Sequence, residues 1–352
     1  MKYLIYTDVH FSQYSSVLRR RGKNYSERLE NIITSLNWAE EQAVVNNCEK
    51  IICLGDFFDK PELNCEELSA LTEIKWANLP HNFLVGNHES NVSSLIYSST
   101  YALDNIPWAR IIDTTSFESN KWIKCDFLYL PYINEDERKK LVDYIPKRDN
   151  SHKLVIFSHN DLSGIQYGKF ESVKGFNLEE IENNCNLFLN GHLHNMGSVG
   201  KNIINVGNLT GQNFSEDGFN YRHCVCILDI DSEGNIDIQF IENPFSNNFY
   251  KITINTEKDL NLIDKLKGNS VVSFSCEHSL IDKLKEKINN NKLIVESRLT
   301  IFRNDSDEVS LQEDVVKLNN IDPIEKFTLF IFDKLGTSNI VKEEVESIVR
   351  GE

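Results

Sequence analysis

Aspartate, histidine and asparagine recur in five short segments: Asp8-Val9-His10, Gly55-Asp56-Phe57-Phe58-Asp59, Gly86-Asn87-His88-Glu89, Ser158-His159 and Gly191-His192-Leu193-His194. Together they offer carboxylate oxygens, imidazole nitrogens and an amide oxygen, but no thiolate. That donor set can hold two divalent cations side by side, and it suits manganese, iron or zinc better than calcium or a structural zinc. Two cations roughly 3.5–4 Å apart can activate one water and neutralise the phosphate oxygens it attacks. A lone D-x-H or a lone Gly-His pair is common. Five such segments in this order point to a dinuclear metal site.

Each segment follows an apolar, β-rich run: YLIYTD, KIICLGD, HNFLVGNH, KLVIFSH and NLFLNGH. Ligands at strand ends can converge on one edge of a sheet although they are far apart in sequence. Ser26 to Val45 has the spacing of an amphipathic helix, with Leu29, Ile32, Ile33, Leu36 and Ala39 on one face and Ser26 as its N-cap. Strand and helix segments alternate to about residue 190. NIINVG, HCVCILDI and NIDIQFIEN then form a run of strands, as a second sheet or an antiparallel edge would. Near residue 250 the pattern changes. VVSFSC (271–276), an amphipathic stretch from Ser279 to Asn289, and KLIVESRLTIF (292–302) predict a strand–helix–strand unit, closed by the polar stretch Arg303-Asn304-Asp305-Ser306-Asp307. Asp322 and Pro323 then open a helix to about Leu335, Gly336 stops it, and a second helix runs from Ser338 to Arg350.

Composition fits a folded chain: 352 residues, 40% of them apolar, with seven prolines. The longest apolar runs are of strand length, so no membrane span is expected. A metal-ligand candidate stands at residue 8, and a cleavable signal peptide would remove part of the site, so none is expected. Eight cysteines without C-x-x-C spacing read as reduced thiols of a cytoplasmic protein. His81, His152, His223 and His278 fall outside the motifs and read as ordinary surface or core residues. A net charge of −16 opposes nonspecific binding to DNA, although two cations would offset part of it at the site. Arg19, Arg20, Arg21 and Lys23 form a basic run that could guide a phosphate backbone, a solvated loop being the plainer reading. The acidic balance implies that a partner supplies much of any grip on DNA.

The ordered pattern D-x-H, G-D-x-x-D, G-N-H-D/E, H, G-H-x-H resembles that of the calcineurin-like metallophosphoesterases over roughly residues 1–245. The resemblance implies a four-layer α/β/β/α sandwich with the metals at the strand ends. It implies that Asp8, His10 and His194 bind one metal, that Asn87, His159 and His192 bind the other, and that Asp56 bridges both. It favours manganese. His88 would bind neither ion, and would protonate the leaving oxygen or steady the transition state. Asp59 would orient a neighbouring histidine, a solvated loop acid being the alternative. Glu89 stands where nucleases of the family more often carry Asp, and is left outside the catalytic set.

The C-terminal layout resembles the SbcD-like DNA repair nucleases, phage members included. These add a small α/β capping domain and helices that dock on an SbcC-type coiled-coil ATPase. G-D-F-F-D-K-P, NVGNLTGQNFSED and DPIEKFTLFIFDKL are similar to that branch, while Glu89 and Asn208 depart from it. The implied organisation is a nuclease domain over 1–250, a capping domain over 251–305 and a partner-binding helical segment over 306–352. The implied function is metal-dependent hydrolysis of DNA phosphodiesters at ends, in double-strand break processing and recombination, by a homodimer. ATP hydrolysis would belong to the partner, since the chain has no G-x-x-x-x-G-K-S/T loop. Two other readings are a phosphomonoesterase or small-nucleotide phosphodiesterase of the same fold, and a non-catalytic scaffold.

Overall fold

Near-continuous apolar runs suit strands that are covered on both faces, and here they become the inner strands of two six-stranded sheets. The computed structural model describes residues 1–302 apart from 16, 19–21, 92, 93, 168 and 169. Arg19, Arg20, Arg21 and the two expected C-terminal helices lie outside the described residues. Two compact units divide the described residues, one of residues 1–250 with 266–271, the other of 251–265 with those from 272 on.

In the first unit, one sheet runs in the order Ile236–Glu242, Cys224–Ile230, Lys2–Tyr6, Lys50–Cys53, His81–Leu84, Ala109–Ile112. Its last four strands are parallel, and the two late strands join them antiparallel as an edge. The other sheet runs Gly197–Ser198, Ile203–Asn205, Leu187–Asn190, Lys153–Ser158, Cys125–Leu130, Ser116–Asn120. Its four inner strands are parallel and its two outer ones antiparallel.

The period-two alternation of a strand sorts these residues into layers. Leu4 and Tyr6 pack with Leu29, Ile32, Leu36 and Ala39 of the helix Glu27–Val45. Their neighbours Tyr3 and Ile5 turn the other way, into a core shared with Phe127, Tyr129, Val155 and Phe157 of the second sheet. Leu154, Ile156 and Phe188 face away from that core and meet Ile181 of the helix Leu178–Asn184. Helix, sheet, sheet, helix is the four-layer α/β/β/α sandwich expected. The first helix starts where its sequence says it should. Ser26 Oγ accepts from the Leu29 N–H at 3.3 Å, and Glu27 and Glu30 place negative charge in the first turn, where the helix dipole favours it.

From residue 269 on, mostly in the second unit, comes the strand–helix–strand succession that the periodicity predicts. Strand Asn269–Glu277 leads through a short 3-10 turn into helix Ile281–Asn290 and then strand Ile294–Phe302. Leu284 is buried on the inner face of this helix, and Lys287 pairs with Asp264 at 2.7 Å on its outer side. Among the described residues, no helix is long and apolar enough to cross a membrane.

Candidate metal centre

Parallel strands deliver their C-terminal ends to one edge, the usual place for a site in such sheets. Lys2–Tyr6 leads to Asp8 and His10, Lys50–Cys53 to Asp56, and His81–Leu84 to Asn87 and His88. From the second sheet, Lys153–Ser158 ends at His159, and Leu187–Asn190 leads to His192 and His194. Backbone pairing continues past the strand ends: the Asp8 N–H donates to Gly55 O at 3.1 Å and the His10 N–H to Asp56 O at 3.0 Å. Across the sheets, the Leu209 N–H donates to Thr7 O at 3.2 Å. Asp8, His10, Asp56 and His192 all lie in the left-handed region, with φ of 51°, 47°, 47° and 71°. Such conformations cost about 1–3 kcal/mol each and persist only where the surroundings enforce them. Their concentration on four ligand candidates marks this edge as the built site. Gly55, at φ +130°, also permits close approach, since a Cβ there would lie 2.5 Å from the His159 ring.

The two buried aspartates share one design. Asp8 Oδ2 accepts from Thr7 Oγ1 at 2.7 Å and from the His192 N–H at 3.0 Å, while its Oδ1 has no partner. Asp56 Oδ1 accepts from the His88 N–H at 3.0 Å, leaving Oδ2 to face His159 Nε2 at 3.0 Å and His10 Nε2 at 3.9 Å. His10 Nε2 and both His159 ring nitrogens are likewise buried without a hydrogen bond. Each such orphaned atom costs about 1–3 kcal/mol. A buried cluster of such atoms around two carboxylates is what a cation relieves. Ligand atoms of Asp8, His10 and His194 fall within 4.8 Å of one another, as do those of Asp56, His159 and His192. Asn87 Oδ1 lies 3.0 Å from His192 Nδ1. The residues therefore fit two divalent cations, with Asp56 placed between the groups.

Carboxylates behind the imidazoles fix which nitrogen keeps its proton, since a carboxylate only accepts. Asp59 Oδ1 is 3.0 Å from His10 Nδ1, Asp161 Oδ1 is 3.0 Å from His192 Nε2, and Glu216 Oε1 is 3.6 Å from His194 Nδ1. In each case the opposite nitrogen is the one left to ligate a cation. His88 is the most open member, its side chain 44% exposed, with its Nδ1 3.2 Å from the Asp59 carbonyl and its ring edge-on to His10. Its ligand atoms also lie within 4.8 Å of those of His10 and Asp56.

Electrostatics favour charge separation before any metal arrives. Burial pushes Asp8 up, but the His10 hydrogen bond and the charges of His159 and His194 override it and hold the carboxyl at about 2. Burial opposes the charged form of His10 too, yet Asp59 and Asp8 raise it to about 10. Asp56 and Asp8 raise His159 to about 9 against the same burial. Glu89 moves the opposite way. Burial first, then the nearby Asp56 charge, lifts it to about 7.

All eight residues singled out in sequence converge here: Asp8, His10, Asp56, Asn87, His88, His159, His192 and His194. Asp59 orients a histidine rather than standing in solvent. Glu89 is buried and shapes the loop, accepting from the Phe58 N–H at 3.0 Å and the Gly86 N–H at 2.7 Å. Sequence reasoning missed Asp161 and Glu216. Asp161 stands two residues after His159, and Glu216 sits in the NVGNLTGQNFSED stretch that is similar to the SbcD-like branch, which were the available signals. It also passed over His223, which is buried and 3.9 Å from Glu216. Lys23 is exposed.

The family model described as calcineurin-like phosphoesterase matches residues 1–196. Similar solved structures include an archaeal phosphodiesterase (15% identity, 68% of this chain and 100% of that one, TM-score 0.35). A dimetal phosphatase from Danio rerio is 13% identical over 69% of this chain and 96% of its own, with a TM-score of 0.40. Vacuolar protein sorting 29 from Cryptosporidium parvum is 11% identical over 68% and 97%, with a TM-score of 0.30. No curated protein matches the chain.

Proposed function

This chain belongs to the calcineurin-like phosphoesterase family, a family of hydrolases built on a dinuclear metal centre, and we propose that it is a DNA nuclease of the SbcD-like kind. Its substrate would be DNA phosphodiesters at duplex ends, its ions manganese, and its partner an SbcC-type coiled-coil ATPase. It would act as a cytoplasmic homodimer in double-strand break processing and recombination. When bound, the two cations supply an activated water and neutralise charge on the phosphate.

The protein's own groups do the rest. Asp8, His10 and His194 would hold one ion, Asn87, His159 and His192 the other, and Asp56 both. The Asp59 carbonyl accepts from His88 Nδ1, which leaves Nε2 as the nitrogen that, in the charged ring, would pass a proton to the departing sugar oxygen. Backbone donation from His88 to Asp56 ties the proton carrier to the metal bridge.

The observation that carries the DNA reading is the second unit. A strand–helix–strand fold beyond residue 250 has no evident use in cleaving a small phosphate ester. One observation favours the rival reading, a small-substrate phosphatase: the net charge of −16. Manganese-dependent digestion of end-labelled linear duplex, run beside His88→Ala, decides between them. Degradation by the parent alone is the expected result. Intact duplex together with rapid turnover of a small phosphate ester would overturn the nuclease reading.

A further inference from the structure

Behind His194 lies a polar chain that the proposed reaction does not use. Glu216 and His223 are almost fully buried, and their facing atoms, Oε2 and Nε2, both lack hydrogen-bond partners. Asn208, also fully buried, joins them. His223 Nδ1 is 2.8 Å from Asn208 Oδ1, and Asn208 Nδ2 donates to Glu216 Oε1 at 2.9 Å. An amide oxygen only accepts, so His223 must carry its proton on Nδ1. The direction of donation is then set from His223 through Asn208 to Glu216. The Gln212 N–H adds a second donor to the same Glu216 oxygen at 3.1 Å. That pinned oxygen lies 3.6 Å from His194 Nδ1, and His194 Nε2 lies 3.9 Å from Asp8 Oδ1.

A parallel arrangement stands behind His192. Asp161 Oδ1 meets His192 Nε2, and Asp161 Oδ2 lies 3.8 Å from Arg138. Arg138 is itself fixed by donation to Ile133 O at 2.8 Å and by its seat over the Phe176 ring. The two carboxylates serve histidines of different ligand groups, one shared with Asp8 and His10, the other with Asp56 and His159.

We propose that Glu216, held by Asn208, is the positioning residue for one cation and Asp161 for the other, so that the affinities of the two ions are set separately. Loss of either carboxylate frees one imidazole to rotate and to place its proton on the ligating nitrogen. Partners of this kind typically change metal affinity about 10–100-fold. The inference rests on the two-cation reading of the centre, and not on DNA as substrate.

Equilibrium dialysis of the full chain against manganese tests it, after chelation and with metal counting, on the parent, Glu216→Gln, Asn208→Ser, Asp161→Asn and the double variant Glu216→Gln/Asp161→Asn. Thermal unfolding of each metal-free protein serves as the control. The parent should take up two ions. Glu216→Gln and Asp161→Asn should each weaken one ion about 10–100-fold and leave the other at the parent's affinity. Asn208→Ser should weaken the same ion as Glu216→Gln, by less, and the double variant should weaken both. Unchanged affinities in the single variants would overturn the proposal. So would loss of both ions together with a lower metal-free unfolding temperature, which marks a structural role. A double variant no worse than one single would show that both carboxylates serve the same ion, also against it. A parent that binds fewer than two ions would fail the two-cation reading itself, a result distinct from all of these.

Discussion

The floor of the centre and its rim are built on opposite terms. Asp8, His10, Asp56 and His159 form the floor, with side chains no more than 2% exposed. At the rim, His192, His194 and His88 are 21%, 27% and 44% exposed. Within the centre, floor residues carry most of the strained backbone and the orphaned polar atoms, so they gain most from cations. Rim residues are partly open to solvent and can meet a substrate. The difference separates two jobs: the floor fixes charge, the rim handles what arrives.

The largest effect should come from breaking the floor at its centre. Asp56→Ala removes the oxygen lying between the two ligand groups. Turnover should fall by about 10³-fold or more, because several kcal/mol of charge stabilisation goes with the ions. Metal counting on the purified variant should find both ions lost or greatly weakened. Retention of two ions at the parent's affinity would break the distinction between floor and rim. His88→Ala is the contrasting cut. Loss of a proton donor at the rim should lower turnover about 10²–10⁴-fold with metal content unchanged. If the ions leave as well, His88 belongs to the floor, as its nearness to His10 and Asp56 allows.

The next effect is a matter of protons. In the metal-free protein His10 and His159 are raised from 6.5 to about 10 and about 9, so both are charged at neutral pH. Ligation requires neutral imidazole. Binding manganese near pH 7.5 should therefore release about two protons, a number read by calorimetry in buffers of different ionisation enthalpy. The stability contributed by these histidines is complete below pH 6.5 and is lost as pH rises through 9 to 10. Metal-free protein should accordingly melt progressively lower over that range. Release of no protons at neutral pH would mean that the floor holds neutral histidines before metal binds.

Floor and rim also differ in how much of them the sequence reveals. Metal chemistry permits few donor types, and buried parallel strands leave continuous apolar runs such as KIIC and KLVIFS, so strand and ligand announce each other. Polar edge strands gave no such signal: Ser116–Asn120 reads SFESN, and Gly197–Ser198 is two residues long. Supports of the rim were harder still. Asp161 lies beside His159 in sequence yet serves His192, because the strands ending at His159 and leading to His192 are neighbours in the sheet. A carboxylate behind a histidine can come from any loop that passes, and spacing carries no trace of it. Asn208 illustrates the reverse case. It was noted only as a departure from the SbcD-like pattern, and the structure places it between Glu216 and His223.

The smallest effect sharpens the account of the floor from beneath. Glu89 accepts backbone N–H groups with both oxygens, from Phe58 and from Gly86. Glu89→Gln keeps one acceptor and turns an amide donor toward the other N–H, at a cost of about 1–3 kcal/mol. The native carboxyl carries its own penalty. Its ordinary value of 4.5 is raised to about 7 by burial and by Asp56, so the folded state binds its proton more tightly than the unfolded one. Stability of the metal-free parent from this group therefore falls as pH rises from 4.5 to 7, a loss the glutamine variant does not share. The stability of the parent relative to the variant in metal-free unfolding should therefore be highest near pH 5 and lower at pH 8. A relative stability that rises with pH would mean that the two backbone donors outweigh burial. Glu89 would then stabilise the floor as an anion, instead of being held there against its preference.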